Sequence, residues 1–122
     1  MNLNQATEKF IALCSQLCVD RQSYTAANVR RHNRAMQKLS IWAEKLNVSD
    51  LAFKTEVYTQ LLQTTDAVIQ LNAATFALKY GVCKDSAILA LEHLQHVANP
   101  MIAFDAEMTL RVWRGEVKGR TL

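Results

Sequence analysis

The segment from residue 66 to residue 80 constrains the fold more than any other stretch of the chain. Its apolar residues point in almost every direction around a helix: Ile69, Leu71, Ala73, Ala74, Phe76, Ala77, Leu78 and Tyr80. Only Asn72, Thr75 and Lys79 form a polar strip, and it is one residue wide. A helix that is apolar nearly all round packs against neighbours on several sides. The segment therefore predicts a helix in the middle of a helical stack.

The scarcity of turn residues predicts helices along the rest of the chain. Only three of the 122 residues are glycine and one is proline, whereas all-β folds use both residues freely in turns. No stretch alternates apolar and polar residues with the β-branched enrichment of a half-buried strand. We expect an all-α chain that folds as a single helical domain over residues 1–122, a length that suits one domain and not two.

Apolar spacing predicts six helices. Their approximate bounds are residues 4–20, 25–46, 50–62, 66–80, 85–97 and 101–114. Ser49 is placed to cap the third helix. Gly81 and Gly115 follow the fourth and sixth helices, where a left-handed residue commonly ends a helix. Asn99 and Pro100 separate the fifth helix from the sixth, because proline disfavours a helical residue before it.

Several less obvious side chains are predicted to lie in the core. Cys14 and Cys18 fall on the apolar stripe of the first helix. His32 falls on the stripe of the second helix and is expected to be hydrogen-bonded there. The other members of that stripe are Val29, Met36, Leu39, Ala43 and Leu46. Trp113 is predicted to be buried on the stripe of the sixth helix, whose other members are Ile102, Ala106 and Leu110.

The sequence predicts no export signal or membrane span. The apolar run FIALC near the start is interrupted by polar residues, and no small-residue cleavage pattern follows it. No stretch approaches the roughly 20 apolar residues that span a membrane. Three cysteines, an odd number without disulfide-framework spacing, are typical of a reducing compartment. We therefore expect a cytoplasmic protein without a membrane partner.

The residues that could carry chemistry form no recognised catalytic motif. By residue type, a zinc set could be formed by Cys14, Cys18, His93 and His96. The two cysteines, however, belong to a core stripe, and the two histidines to the polar side of the fifth helix. Cys83 is the one candidate nucleophile, and a residue near a helix cap without chemistry is its other interpretation. We expect no enzyme activity, no metal, no cofactor and no small-molecule substrate.

A basic face follows the second helix. It is formed by Arg30, Arg31, Arg34, Lys38 and Lys45, with the apolar Ile41 among them. A solvated helix face is one interpretation. The other is a binding surface, because interface hot spots commonly combine an apolar residue with arginine. Its partner would be an acidic protein surface or the phosphates of a nucleic acid, although a net charge of +3 is modest for a duplex-binding module.

Helix stacking predicts a second candidate surface, since stacked second helices line a concave binding side in helical solenoids. It would be formed by Asn72, Thr75, Lys79, Glu107, Arg111 and Arg114, with the turn residues Asp66 and Asp105. Glu107 and Arg111 are spaced to form an ion pair across one helical turn. The two aspartates have an alternative interpretation as helix caps.

Three stretches resemble a known family. They are RRHNRAMQKL in the second helix, LNAATFAL in the fourth and FDAEMTLRVWRGEVK near the end. In that family a phenylalanine–aspartate–alanine turn similarly precedes a helix that ends in a tryptophan and a glycine. Over residues 20–118 the chain is similar to small bacterial HEAT-like proteins, which are found as immunity proteins of contact-dependent inhibition and polymorphic-toxin systems.

The resemblance implies both a fold and a function. The fold would be a short, right-handed, HEAT/armadillo-like stack of about six helices. The function would be to bind and neutralise a cognate toxin domain in the cytoplasm, by covering its active site or substrate groove. Toxins of such systems are commonly nucleases, EndoU-type RNases among them. A nucleic-acid-binding module acting through the basic face, and a helical scaffold that joins two proteins, are the alternatives.

Overall fold

The computed structural model describes residues 1–18 and 24–122. Within them the chain forms six helices and no strand, which confirms the all-α prediction. The helices are α1 (Leu3–Cys14), α2 (Ala26–Asn47), α3 (Leu51–Leu62), α4 (Ala67–Tyr80), α5 (Lys84–Leu94) and α6 (Pro100–Trp113). In this described part, no helix combines the length and the apolar character needed to cross a lipid bilayer.

The contacts divide the chain into two compact units, residues 1–57 and residues 58–122, with the boundary inside α3. In the first unit α1 packs against α2. In the second unit α4 packs against both α5 and α6, and α5 packs against α6. Seven of the 14 residues of α4 are buried, which confirms that this helix is covered on more than one side. The single domain, the handedness and the HEAT-like character stay predictions.

The buried side of α2 differs from the predicted stripe. Its buried residues are Ala35, Leu39, Trp42, Ala43 and Leu46. Val29 is 37% exposed, so its predicted place in the core is wrong. Full burial along α2 begins only at Ala35, although half-buried Asn28 and His32 contact Cys18 nearer the start of the helix. The sequence prediction also omitted Trp42, which is 2% exposed and lies against Phe10 of α1.

Helix α1 is shorter than its apolar stripe predicted. It ends at Cys14, where Ser15 is the cap and donates its hydroxyl to the carbonyl oxygen of Ala12 at 2.6 Å. A serine hydroxyl that bonds the local backbone competes with the next helical turn. The predicted extension of this helix as far as residue 18 is therefore wrong, and residues 19 and 20 lie outside the described residues.

The bounds of the other five helices lie within one residue of prediction, except at the end of α5. Asp50, not Ser49, caps α3, because its carboxylate accepts the N–H of Phe53 at 2.9 Å. Aspartate is as good a cap as serine, and the helix begins one residue later than predicted. Helix α5 ends at Leu94 and does not reach residue 97. Beyond it, the N–H of His96 bonds the carbonyl of His93 in a tighter three-residue step.

Glycine ends two helices as predicted. Gly81 follows α4 with a φ of 71°, and Gly115 lies beyond α6 with a φ of 76°. The N–H of Val82 reaches back to the carbonyl oxygen of Ala77 at 2.9 Å. Such a bond satisfies a carbonyl that the end of a helix would otherwise leave without a partner.

Candidate interaction surfaces

The basic face of α2, defined as Arg30, Arg31, Arg34, Lys38 and Lys45 around Ile41, is exposed over its whole length. Helical periodicity places the six residues within about 100° of one another around the axis, over about 22 Å from the first to the last. The buried residues of α2 occupy the adjoining part of the helix surface, over about another 100°. The apolar side of α2 is therefore buried, while its basic side faces solvent.

Two properties distinguish the basic face from an ordinary solvated helix side. Ile41, in its midst, is 51% exposed, as the sequence predicted. None of the five cations is ion-paired within the described part of the chain. The face consequently presents positive charge around an apolar side chain, without an ion-pair partner among residues 1–18 and 24–122.

A groove of about 480 Å³ lies between α4, α6 and the last three residues of the chain. Its lining residues are Leu71, Asn72, Thr75, Phe104, Asp105, Met108, Thr109, Val112, Arg120, Thr121 and Leu122. The structure thus brings together Asn72, Thr75 and Asp105 of the second predicted surface. We call this feature the α4–α6 groove.

The polar groups of the α4–α6 groove are partly used within their own helices. The Asn72 amide donates to the carbonyl oxygen of Val68 at 2.9 Å, and the Thr75 hydroxyl donates to that of Leu71 at 2.8 Å. The Asn72 amide still offers its second N–H and its oxygen to a ligand, and the Thr75 hydroxyl still offers its oxygen as an acceptor. Phe104, 59% exposed, forms an apolar wall beside them. The groove can therefore donate and accept hydrogen bonds next to an apolar contact.

The other residues of the second predicted surface do not line this groove. Lys79 is exposed, with its ammonium 5.6 Å from the ring centre of Tyr80. Glu107 and Arg111 form no ion pair within residues 1–18 and 24–122, so that prediction is wrong. The Arg111 guanidinium instead lies 3.9 Å from the sulfur of Met108. The flexible side chain of Arg111 therefore contacts Met108, three residues earlier, while the Glu107 carboxylate is exposed to solvent.

Arg114 has a partner that the sequence prediction did not include. Its guanidinium lies 3.5 Å from the carboxylate of Glu92 in α5. Both side chains are nearly half exposed, so solvent screens the pair and it contributes little stability. Arg114 therefore stays accessible to a partner.

The two candidate aspartates occupy different positions. Asp66 caps α4, since its carboxylate accepts the N–H groups of Val68 and Ile69 at 2.9 and 3.1 Å. This confirms the helix-cap interpretation for Asp66. Asp105 lies inside α6, so both its predicted turn and its interpretation as a cap are wrong. Asn99 caps that helix and Pro100 opens it, which moves the helix start ahead of the phenylalanine–aspartate–alanine stretch.

Trp113 was predicted to be buried, and this is wrong because its side chain is 39% exposed. It is the last residue of α6, and Val112 is buried beside it. The same helix exposes Phe104, which the sequence interpretation missed as a surface residue.

The cysteines and histidines have the environments that their sequence positions indicated. Cys14 and Cys18 are buried in the first unit. His32 is half-buried, and its Nδ1 accepts the backbone N–H of Cys18 at 3.0 Å. His93 and His96 are exposed on and just beyond α5. In the described residues, no group of three or more metal-ligating side chains comes together.

Cys83 lies at the N-cap position of α5, with a φ of 51°. It is half-buried, and its sulfur lies 3.7 Å from the hydroxyl oxygen of Thr59. Tyr58 is nearby and only 1% exposed; burial raises the pKa of its phenol, and the charges of Tyr80 and Cys83 raise it further. The location of Cys83 fits its interpretation as a residue of a helix cap.

A second, smaller groove of about 350 Å³ lies elsewhere in the second unit. Its lining residues are Thr59, Leu62, Gln63, Gln70, Ser86, Leu89, Ala90 and His93. Leu89 is 67% exposed at this groove. None of its lining residues belongs to either of the two predicted surfaces.

Comparison with known proteins adds no relative to this description. No protein-family model matches the chain, and no curated protein and no solved structure is significantly similar to it. The family resemblance consequently stays a prediction made from the three sequence stretches.

Proposed function

We propose that this protein is a non-enzymatic immunity protein, which binds a cognate toxin domain in the cytoplasm and neutralises it by covering its active site or substrate groove. The observation that carries the proposal is Ile41, 51% exposed among five cations that have no ion-pair partner in the described residues. An apolar side chain surrounded by arginines has the composition of an interface hot spot. The family resemblance supports the same conclusion.

The scaffold of the basic face suits tight binding. Helix α2 is 22 residues long, and Thr25 caps it by accepting the N–H of Asn28. A surface that is already ordered avoids much of the entropy that binding would otherwise cost. Neutralising a toxin requires a dissociation constant on the order of 1 nM, which corresponds to about 12 kcal/mol. The contribution of Ile41 and the arginines is therefore one part of a larger interface.

The area of α2 indicates how much more surface must take part. A stable complex buries about 800 Å² on each partner. A helix side about 22 Å long and about 10 Å wide projects over only about 220 Å². Other exposed residues have to contribute the remainder of the area. We propose that the toxin is a nuclease, as the family resemblance implies.

Nucleic-acid binding through the same face is the second candidate function, and the five exposed cations of α2 favour it. Phosphate contacts release counterions, so affinity for nucleic acid falls steeply as salt is added. A complex held by shape complementarity loses mainly association rate under the same change. The salt dependence of affinity therefore separates the two functions. A scaffold that joins two proteins would instead bind both of them at once.

The proposal is tested by asking whether this protein protects cells from the toxin. The toxin domain encoded directly upstream is expressed in cells with and without this protein, and the protein is then purified through an affinity tag. We expect growth to be restored and the toxin to copurify in a stoichiometric complex. A toxic domain that is neither bound nor neutralised contradicts the proposal.

A further inference from the structure

We propose that the basic face of α2 docks on an acidic surface of the partner protein and places Ile41 in an apolar pocket within that surface. This inference rests on the proposed function and adds the chemistry of the partner. The inference is argued from the positive charge of the basic face and from the exposure of Ile41. The five cations lack carboxylate partners in the described chain, and Ile41 is half exposed between them.

Charge complementarity decides what kind of surface can meet this face. Like charges placed against each other across an interface repel and oppose binding. A nuclease binds the phosphates of its substrate with lysines and arginines, so its substrate groove would repel α2. The basic face therefore contacts a carboxylate-rich area outside that groove, and other parts of the protein cover the groove itself.

The side chains around the basic face favour a protein over a nucleic acid. Ile41 lies between Lys38 and Lys45 along the helix. A helix that contacts a row of phosphates would have a polar side chain at this position. No aromatic residue belongs to the face, whereas sites for single strands stack bases on aromatic rings.

The first experiment tests the charges. The probe is the purified toxin domain encoded directly upstream, and binding is measured by calorimetry with the full-length protein. The variant Arg30→Glu/Arg34→Glu reverses two charges of the face. Lys84→Glu/Lys118→Glu reverses two exposed lysines of the second unit and changes the net charge equally. We expect affinity at least about tenfold weaker for the first pair and nearly unchanged for the second.

The second experiment tests the apolar contact. Ile41→Asp puts a carboxylate where the pocket would be, and Leu89→Asp makes the same kind of change at another exposed apolar residue, 67% exposed in α5. We expect Ile41→Asp to weaken toxin binding at least about 30-fold, as for loss of an interface hot spot. Leu89→Asp should leave the affinity close to that of the unmodified protein. Circular dichroism checks that each variant retains its helices.

The outcomes distinguish the inference from the proposed function. If the unmodified protein binds the toxin and the α2 variants behave like their controls, this docking surface is overturned while the immunity function stands. If the protein does not bind the toxin, both are overturned. A single-stranded RNA oligonucleotide is tested in parallel. RNA binding that Arg30→Glu/Arg34→Glu abolishes, without toxin binding, would assign the basic face to nucleic acid.

Discussion

The indole N–H of Trp42 donates a hydrogen bond of 3.1 Å to the carbonyl oxygen of Ala6, 36 positions away in the sequence. The Trp42 ring also lies 4.6 Å from the ring of Phe10, measured between centroids. A single side chain of α2 therefore holds α1 through a polar and an apolar contact, and both are buried. Because a buried donor or acceptor that loses its partner costs free energy, this contact fixes how the two helices meet.

Replacing Trp42 by phenylalanine should destabilise the protein. The change removes the indole donor and leaves a small cavity, and together we expect these to lower the free energy of unfolding by about 1–3 kcal/mol. Urea unfolding followed by circular dichroism measures it. Trp113→Phe is the matched control, since it makes the same change at an exposed side chain and should stay within about 0.5 kcal/mol. Equal losses at both positions would contradict the role given to Trp42.

Asp66 should contribute to stability through its cap on α4. Asp66→Ala removes the acceptor for the N–H groups of Val68 and Ile69, and we expect a loss of about 0.5–2 kcal/mol in the free energy of unfolding. Asp66→Asn retains a capping oxygen while removing the charge, so it should cost much less. Thermal unfolding of both variants measures the difference.

The same two Asp66 variants test its predicted contact with a partner. If the carboxylate acts only as a cap, Asp66→Asn should bind the toxin domain as tightly as the unmodified protein does. Weaker binding by this stable variant would show that the charge itself reaches the partner. Calorimetric titration with the toxin domain gives the answer.

Periodicity predicted which side of each helix is apolar, but not where packing along that side ends. Helix α4 shows the success, because apolar residues in every direction require neighbours on several sides. Val29 and Trp113 show the limit. Both fall on an apolar stripe, yet each lies near one end of its helix and is exposed. Burial there depends on the length of the neighbouring element, which the local sequence does not contain.

Helix boundaries failed where neighbouring residues had similar capping ability. Ser49 and Asp50 are both good caps, and the hydrogen bond from Phe53 decides between them. The family motif misplaced Asp105 for a related reason. Asn99 and Pro100 form an earlier start for α6, and this places Asp105 inside the helix.

The basic face was predictable from sequence, while the α4–α6 groove was predictable only in part. The second helix alone determines the face, because a single helical period sets which of its residues share a side. The groove needs α4, α6 and residues 120–122 together. Asn72 and Thr75 were found because their own helix is otherwise apolar. Phe104 was missed because its exposure depends on how α6 packs.

The buried phenol of Tyr58 should make stability depend on alkaline pH. Burial raises the pKa of Tyr58 above its ordinary value, and the charges of Tyr80 and Cys83 raise it further. In the unfolded chain the phenol ionises at about pH 10. Above that pH the unfolded state therefore binds fewer protons than the folded state. The free energy of unfolding should then fall as pH rises, by up to about 1.4 kcal/mol per pH unit. Below that pH the contribution of the neutral phenol is fully present.

Tyr58→Phe isolates this effect, because it retains the buried ring and removes the ionisable group. Urea unfolding at about pH 9 and about pH 11 should show a smaller decrease in Tyr58→Phe than in the unmodified protein. Tyr24→Phe is the control, since Tyr24 is 46% exposed and its replacement should leave the decrease unchanged. Lysines contribute equally in all three proteins, so they cancel in the comparison. A decrease of the same size in Tyr58→Phe would mean that water reaches the phenol in the folded protein and that its burial does not control this pH dependence.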